Sequence, residues 1–163
     1  MESLVIISNG HLVPATKGEY KRKEFETAFS SDTSMWIQNA DCDRSNDDTI
    51  ARVCNCCEMQ EESDIQIKFP VVHDIVKKNK TSSKTMYWTK NQVKAFFKAN
   101  KNNPDLFSKK DEKAHWFFTK EKNRKVYATL IIYHHKKWHF APYDNSTKYS
   151  HGVKSGARIF TLQ

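Results

Sequence analysis

Glycine and proline are scarce, with four of each in 163 residues. That excludes collagen-like and low-complexity chains, and long flexible linkers are not expected. Long apolar runs are missing as well. The longest, Leu4-Val5-Ile6-Ile7 and Leu130-Ile131-Ile132-Tyr133, fall far short of the roughly 20 apolar residues of a membrane helix. No membrane partner is therefore expected. The opening residues carry acidic Glu2, lack a basic leader and break at Ser8-Asn9-Gly10, so no secretory signal is expected there. No P-loop, G-x-G-x-x-G, G-x-S-x-G or H-E-x-x-H pattern occurs, which removes the enzyme classes that those spacings mark.

Carboxylates are the next scarcity, and it is local. Residues 1–76 hold 7 Lys and Arg against 14 Asp and Glu, a net of −7; residues 77–163 hold 20 against 5, a net of +15. Solubility asks for a net charge of only about 2 to 8 in a small domain. The excess in the basic half, from about residue 77, must meet something anionic: the acidic half, phosphate or an acidic protein surface. The same half carries 15 of the 20 aromatic residues, Tyr87, Trp88, Phe96, Trp116 and Trp138 among them. Lysine neutralises phosphate and releases counterions, and an exposed ring stacks on unpaired bases. The competing reading makes the rings core and the lysines its solvated face.

Length and composition suit one soluble domain over 1–163, since a chain this long buries a core without staples. Leu4–Ser8 and His11–Val13 flank Asn9-Gly10, a strong hairpin signal. Residues 19–29 read as a short helix. Residues 38–64, polar and acidic, read as a loop bearing Cys42, Cys54, Cys56 and Cys57. Ile65, Ile67 and Phe69 alternate as in a strand, and Val72, Ile75 and Val76 follow Pro70 at helical spacing. The firmest helix opens at Thr89, where Thr89 and Gln92 form a capping box and Trp88 can staple onto Val93. Val93, Phe96 and Phe97 make its buried stripe, Lys94, Lys98 and Lys101 a second stripe, and Asn102-Asn103-Pro104 its end. A meander follows, with strands at 116–119, 126–133 and 138–140, and the apolar Ile159-Phe160-Thr161-Leu162 closes the pattern. The expected fold is α+β: a short antiparallel sheet, built from the C-terminal meander and the N-terminal hairpin, packed with several short helices.

Candidate chemistry is thin. The cysteines follow C-x(11)-C-x-C-C, without a second zinc knuckle, and adjacent Cys56 and Cys57 do not easily face one ion. They read as reduced thiols of an intracellular protein, in cytoplasm or nucleus, and neither metal nor other cofactor is expected. His134, His135 and His139 lie within six positions. Two imidazoles and a lysine could run acid–base cleavage of RNA, but strand alternation puts His134 and His135 on opposite faces. Asp111-Glu112 reads as a helix start.

The leading reading is a non-catalytic nucleic-acid-binding protein, for DNA or RNA. Its contacts are Lys94, Lys98 and Lys101 on the helix, and Lys120, Lys122, Arg124 and Lys125 at one meander connection. Lys136, Lys137 and Trp138 serve at the next. The alternatives are a small histidine-dependent nuclease and a protein-interaction module. The ending Thr161-Leu162-Gln163 resembles what a picornavirus- or coronavirus-type main protease leaves after cleavage. That resemblance implies a viral leader-type antagonist of host defences as one form of the module.

Overall fold

The computed structural model describes residues 3–13, 16–19, 42–45, 49–57, 66–78, 86–120, 125–145, 152–154 and 156–162. Residues 3–9, 16–19, 42–45, 49–57 and 66 are described by backbone alone. The strands are β1 (Ser3–Val13), β2 (Thr16–Glu19), β3 (Cys42–Ser45), β4 (Thr49–Cys57) and β5 (Gln66–Lys68). Helices α1 (Phe69–Lys78) and α2 (Lys90–Asn100) follow, then a 3-10 turn at Lys110–Glu112. The remaining strands are β6 (His115–Lys120), β7 (Val126–His134), β8 (Lys137–Asp144), β9 (Gly152–Lys154) and β10 (Arg158–Leu162). Six of them form one sheet in the order β1-β4-β10-β6-β7-β8; β2 pairs with β3, and β5 with β9.

The meander stands where alternation put it. β6, β7 and β8 pair antiparallel in a continuous register from Lys120↔Val126 to His134↔Lys137. β8 runs four residues past the expected end, through Pro142, which an edge strand tolerates because its outward side needs no N–H donor. The apolar segment at 158–162 is an interior strand. β10 pairs antiparallel with β4 and parallel with β6, so the sheet is mixed rather than purely antiparallel and joins the acidic half to the basic half.

Two expectations fail in the front half. No hairpin turns at Asn9-Gly10. β1 runs straight through these residues, and its partner is β4, with register shifts between Ile6 and Ser8 and between Ser8 and His11. Gly10 takes a φ of +77°. A bulge uses the same left-handed glycine conformation as a tight turn, which is why the dipeptide reads as either. The cysteine-bearing region is not all loop, since β3 contains Cys42 and β4 contains Cys54, Cys56 and Cys57. Thr49, Ile50 and Val53 supply β-branched character that the surrounding acids mask in the composition. Glu19 ends β2, and the rest of the helix expected at 19–29 lies outside the described residues. The described residues hold two α-helices and one 3-10 turn, fewer than the several helices expected.

Both faces of the sheet are covered, which is why β6 is buried almost along its whole length. On one face α2 packs Phe96 and Phe97 with Trp88, Phe107, Phe117, Ile131, Phe140 and Phe160. On the other α1 packs Phe69, Val72 and Val76 with Trp116, Phe118, Ala128 and Ile159. The capping box is present: Gln92 N–H donates to Thr89 Oγ1 at 3.1 Å, and Thr89 N–H to Gln92 Oε1 at 2.9 Å. Trp88 is fully buried with Val93 in the α2 cluster, and its indole N–H donates to the Phe160 carbonyl at 3.0 Å.

One buried side chain couples this core to pH. His115 is fully buried; its Nδ1–H donates to the Ile131 carbonyl at 2.9 Å, and its Nε2 accepts the Ser108 N–H at 2.9 Å. Burial lowers its pKa to about 4, with Arg158 and Lys113 adding to the shift against the Ile131 hydrogen bond. The folded state binds this proton less readily than the unfolded chain. The stability that neutral His115 contributes is therefore complete above about pH 6.5 and is lost as pH falls toward 4. Urea titrations between pH 7 and 4 should show a loss of up to roughly 3 kcal/mol from this group. His115→Gln should flatten that dependence from a lower starting stability. An unchanged pH slope in the variant would remove His115 as its source.

Candidate nucleic-acid interface

α2 spans the sheet from end to end. At its N-terminal side Trp88 bridges Thr119 of β6, and toward its C-terminus Phe97 packs edge-on against Trp138 of β8, 5.2 Å between centroids. Eleven residues at about 1.5 Å each cover roughly 16 Å. Lys94 is half-buried on this helix, Lys98 is exposed, and Lys101 is exposed at its C-cap. Lysines there also complement the negative end of the helix dipole.

Beyond α2 the chain folds back in a loop held from several sides. Asn103 Oδ1 accepts the Asp105 N–H at 3.0 Å, and the Asn103 carbonyl accepts the N–H groups of Leu106 and Phe107. Arg158 of β10 donates through one guanidinium nitrogen to the carbonyls of Pro104 at 3.0 Å and Leu106 at 2.8 Å. His115 fixes Ser108. Between the helix end and this loop lies a concavity of about 420 Å³, lined by Lys101, Asn102, Pro104, Phe107, Ser108, Lys109 and Lys110. Three of the seven lining residues are lysines and none is acidic. Lys109 Nζ sits 5.1 Å above the Tyr133 ring, which ties the loop to the β7–β8 hairpin.

That hairpin closes in two residues, His135 and Lys136, with φ of 49° and 62°. Two positive φ values mark a type I′ turn, which prefers Asn-Gly. The only tight hairpin turn among the described meander strands thus uses residues that give no turn signal. Lys136 and Lys137 are exposed at this tip. Trp138 is half-buried, its ring packed edge-on against Phe97, Phe107 and Tyr133.

Of the remaining basic candidates, Lys120 and Lys125 lie at the opposite end of the sheet. Lys120 Nζ lies 4.9 Å over the Tyr87 ring, and Lys125 Nζ pairs with Asp144 at 3.0 Å. The Asp144 hydrogen bond raises the Lys125 pKa. Lys122 and Arg124 lie outside the described residues. Tyr87 also meets His73, whose Nε2 is 2.7 Å from the Tyr87 hydroxyl. Burial lowers the His73 pKa against the pull of Asp74. The structure therefore splits the described basic candidates into two groups. Sequence reasoning passed over Lys109 and Lys110, although the doublet was a visible signal.

The histidines separate by role. Alternation does not separate His134 from His135, because His135 sits in the turn rather than in the strand and its ring centroid lies 3.7 Å from that of His134; His134 and His139 share a sheet face with ring centroids 5.9 Å apart. His139 Nε2–H donates to the His134 carbonyl at 3.0 Å, and His134 Nδ1 bonds to the Glu112 carboxylate. Glu112 belongs to the 3-10 turn rather than to a new helix, with Asp111 and Glu112 at φ of 57° and 49°. Among the described residues no three His, Cys, Asp or Glu side chains converge on a metal position. The cysteine side chains are not among those described. No helix among the described residues is long and apolar enough to cross a membrane.

Protein-family models, curated proteins and solved structures return no match to this chain.

The hairpin supplies a stability prediction. Replacing His135-Lys136 with Asn-Gly matches the side chains to the positive φ values and should stabilise the protein by roughly 1 kcal/mol. Thermal or chemical melts of the double variant check this. A loss of stability would mean that these side chains hold the tip through contacts of their own.

Proposed function

We propose that the protein binds nucleic acid through phosphate contacts along α2, the 101–110 loop and the β7–β8 hairpin. The observation that carries this reading is the lysine-lined concavity of Lys101, Lys109 and Lys110 without a carboxylate in its lining. Lys94 and Lys98 extend it along the helix, and Lys136 and Lys137 extend it past Tyr133 to the hairpin tip. Acidic groups border this surface, exposed Asp105 in the loop and Glu112 against His134, but none enters the lining of the concavity, where three lysines stand together. Because Trp138 is largely committed to packing, affinity comes from charge more than from ring stacking, and base preference is weak.

The test is a titration with single-stranded and duplex DNA and RNA at several salt concentrations. Substituting Ala at Lys101, Lys109 and Lys110 should lower the slope of log affinity against log salt by about 0.7 to 0.9 per lost contact. Lys125→Ala should leave it unchanged, because Asp144 already neutralises that charge. Equal slopes for wild type and the triple variant would refute this surface.

A second reading is favoured by one geometry. Glu112 orients His134, and His139 stands on the same face. One imidazole would take the 2′-hydroxyl proton as that oxygen attacks phosphorus, and the other would protonate the departing 5′ oxygen. A protein that only binds should leave RNA intact over hours. Cleavage that ends in a 2′,3′-cyclic phosphate and vanishes in His134→Ala or His139→Ala would install the nuclease.

A further inference from the structure

The 3-10 turn at 110–112 is a ridge between two concavities. Lys110 lines the one described above, and Asp111 and Glu112 line another, of about 520 Å³, on the α1 face of the sheet. The apolar part of its lining is Ala114, Leu130, Ile132 and Ala157. Leu130 pairs with Trp116, so these side chains continue the flat strip that Phe69 covers at Trp116. The charged part has both signs: Asp111 and Glu112 against Lys113 and Lys154. Trp116 also lines the concavity. It is 5% exposed, and its buried indole nitrogen has no hydrogen-bond partner among the described residues, so the ring borders the concavity while its N–H is turned away from solvent. A buried donor left unpaired is a standing cost to the fold, and its resonance reports on whatever packs against the ring.

These features restrict what the concavity can hold. A purely apolar ligand would strip water from four charged groups and return nothing. A small inorganic anion would meet two carboxylates, and a metal cation two ammonium groups. Glu112 already holds His134, so the ligand needs a flat apolar body, an amino group for Asp111 and an anionic group for the lysines. The volume falls within the range of about 300 to 1,000 Å³ usual for small-molecule sites. We propose that this concavity is a nucleotide site, seating a base that bears an exocyclic amino group on the Leu130–Ile132 strip. Asp111 accepts from the amino group, and the phosphate lies on Lys113 and Lys154. A free mononucleotide and an unpaired nucleotide within a strand share this chemistry.

The experiment follows the tryptophan indole N–H resonances of the full chain in ¹H–¹⁵N spectra while AMP, CMP or UMP is added. The Trp116 signal is the one absent in Trp116→Phe. AMP and CMP should shift it, and UMP, with a carbonyl where CMP has its amino group, should bind about tenfold more weakly. Lys154→Ala changes an exposed side chain and keeps the test valid should Trp116→Phe not fold; it should weaken AMP about tenfold. Asp111→Asn should narrow the gap between CMP and UMP. A Trp116 resonance unmoved by millimolar nucleotide would overturn the proposal. So would unchanged AMP affinity in Lys154→Ala, or tighter binding of free phenylalanine or tryptophan than of AMP. Competition by a single-stranded pentamer assigns the site to a nucleotide within a strand, and failure to compete assigns it to the free nucleotide. The triple Ala variant at Lys101, Lys109 and Lys110 should bind AMP normally, so this site and the lysine surface stand or fall separately.

Discussion

Phe160 is the side chain on which the rest of the fold leans. Its ring stacks on Phe117 at 4.5 Å and on Phe107 at 5.1 Å, nearly parallel to both. Its carbonyl takes the Trp88 indole N–H. These contacts join a strand of the sheet, the segment that leads into α2, and the loop that follows α2. Stacked and edge-on aromatic pairs each add about 0.5 to 1.5 kcal/mol beyond area burial. The two preceding residues of β10 extend the linkage: Arg158 ties the carbonyls of the loop, and Ile159 packs under α1. The lysines of the proposed surface are held in place by this apolar junction, several bonds away from any charge.

Much of this was legible in the sequence wherever one local rule acted alone. The capping box at Thr89 and Gln92 needs only a side chain and a backbone three residues apart. The meander needs only alternation, and the buried stripe of α2 only a period near 3.6. What was not legible depended on partners distant in the chain. Asn9-Gly10 reads as a turn until β4 is known to lie beside both of its flanks. Ile159 to Leu162 reads as a loose apolar tail until β4 and β6 are seen on either side of it. His135-Lys136 gives no turn signal, because the pairing of β7 with β8 forces a conformation that those residues do not favour alone.

The candidate site divides along the same line. Lys98, Lys101, Lys136 and Lys137 were visible as charge in the sequence, but nothing there told them apart from Lys125, whose charge Asp144 satisfies. His134 and His139 were visible as a cluster; their common face followed only from the register, and Glu112 came from a different element. Charge counting finds basic residues, and only pairing decides which of them remain available to a ligand.

The place of β10 has a consequence for how the chain folds. In the described order it follows every other strand, yet it lies in the middle of the sheet. The edge of β4 that it covers must therefore wait through about one hundred residues of chain before its hydrogen bonds are met. Without β10, β4 and β6 each present an uncovered edge in addition to the outer edges at β1 and β8. Such an uncovered edge is an acceptor for a stray strand. The closing strand is thus the step at which one molecule is most easily completed by another, through exchange of β10 between two copies.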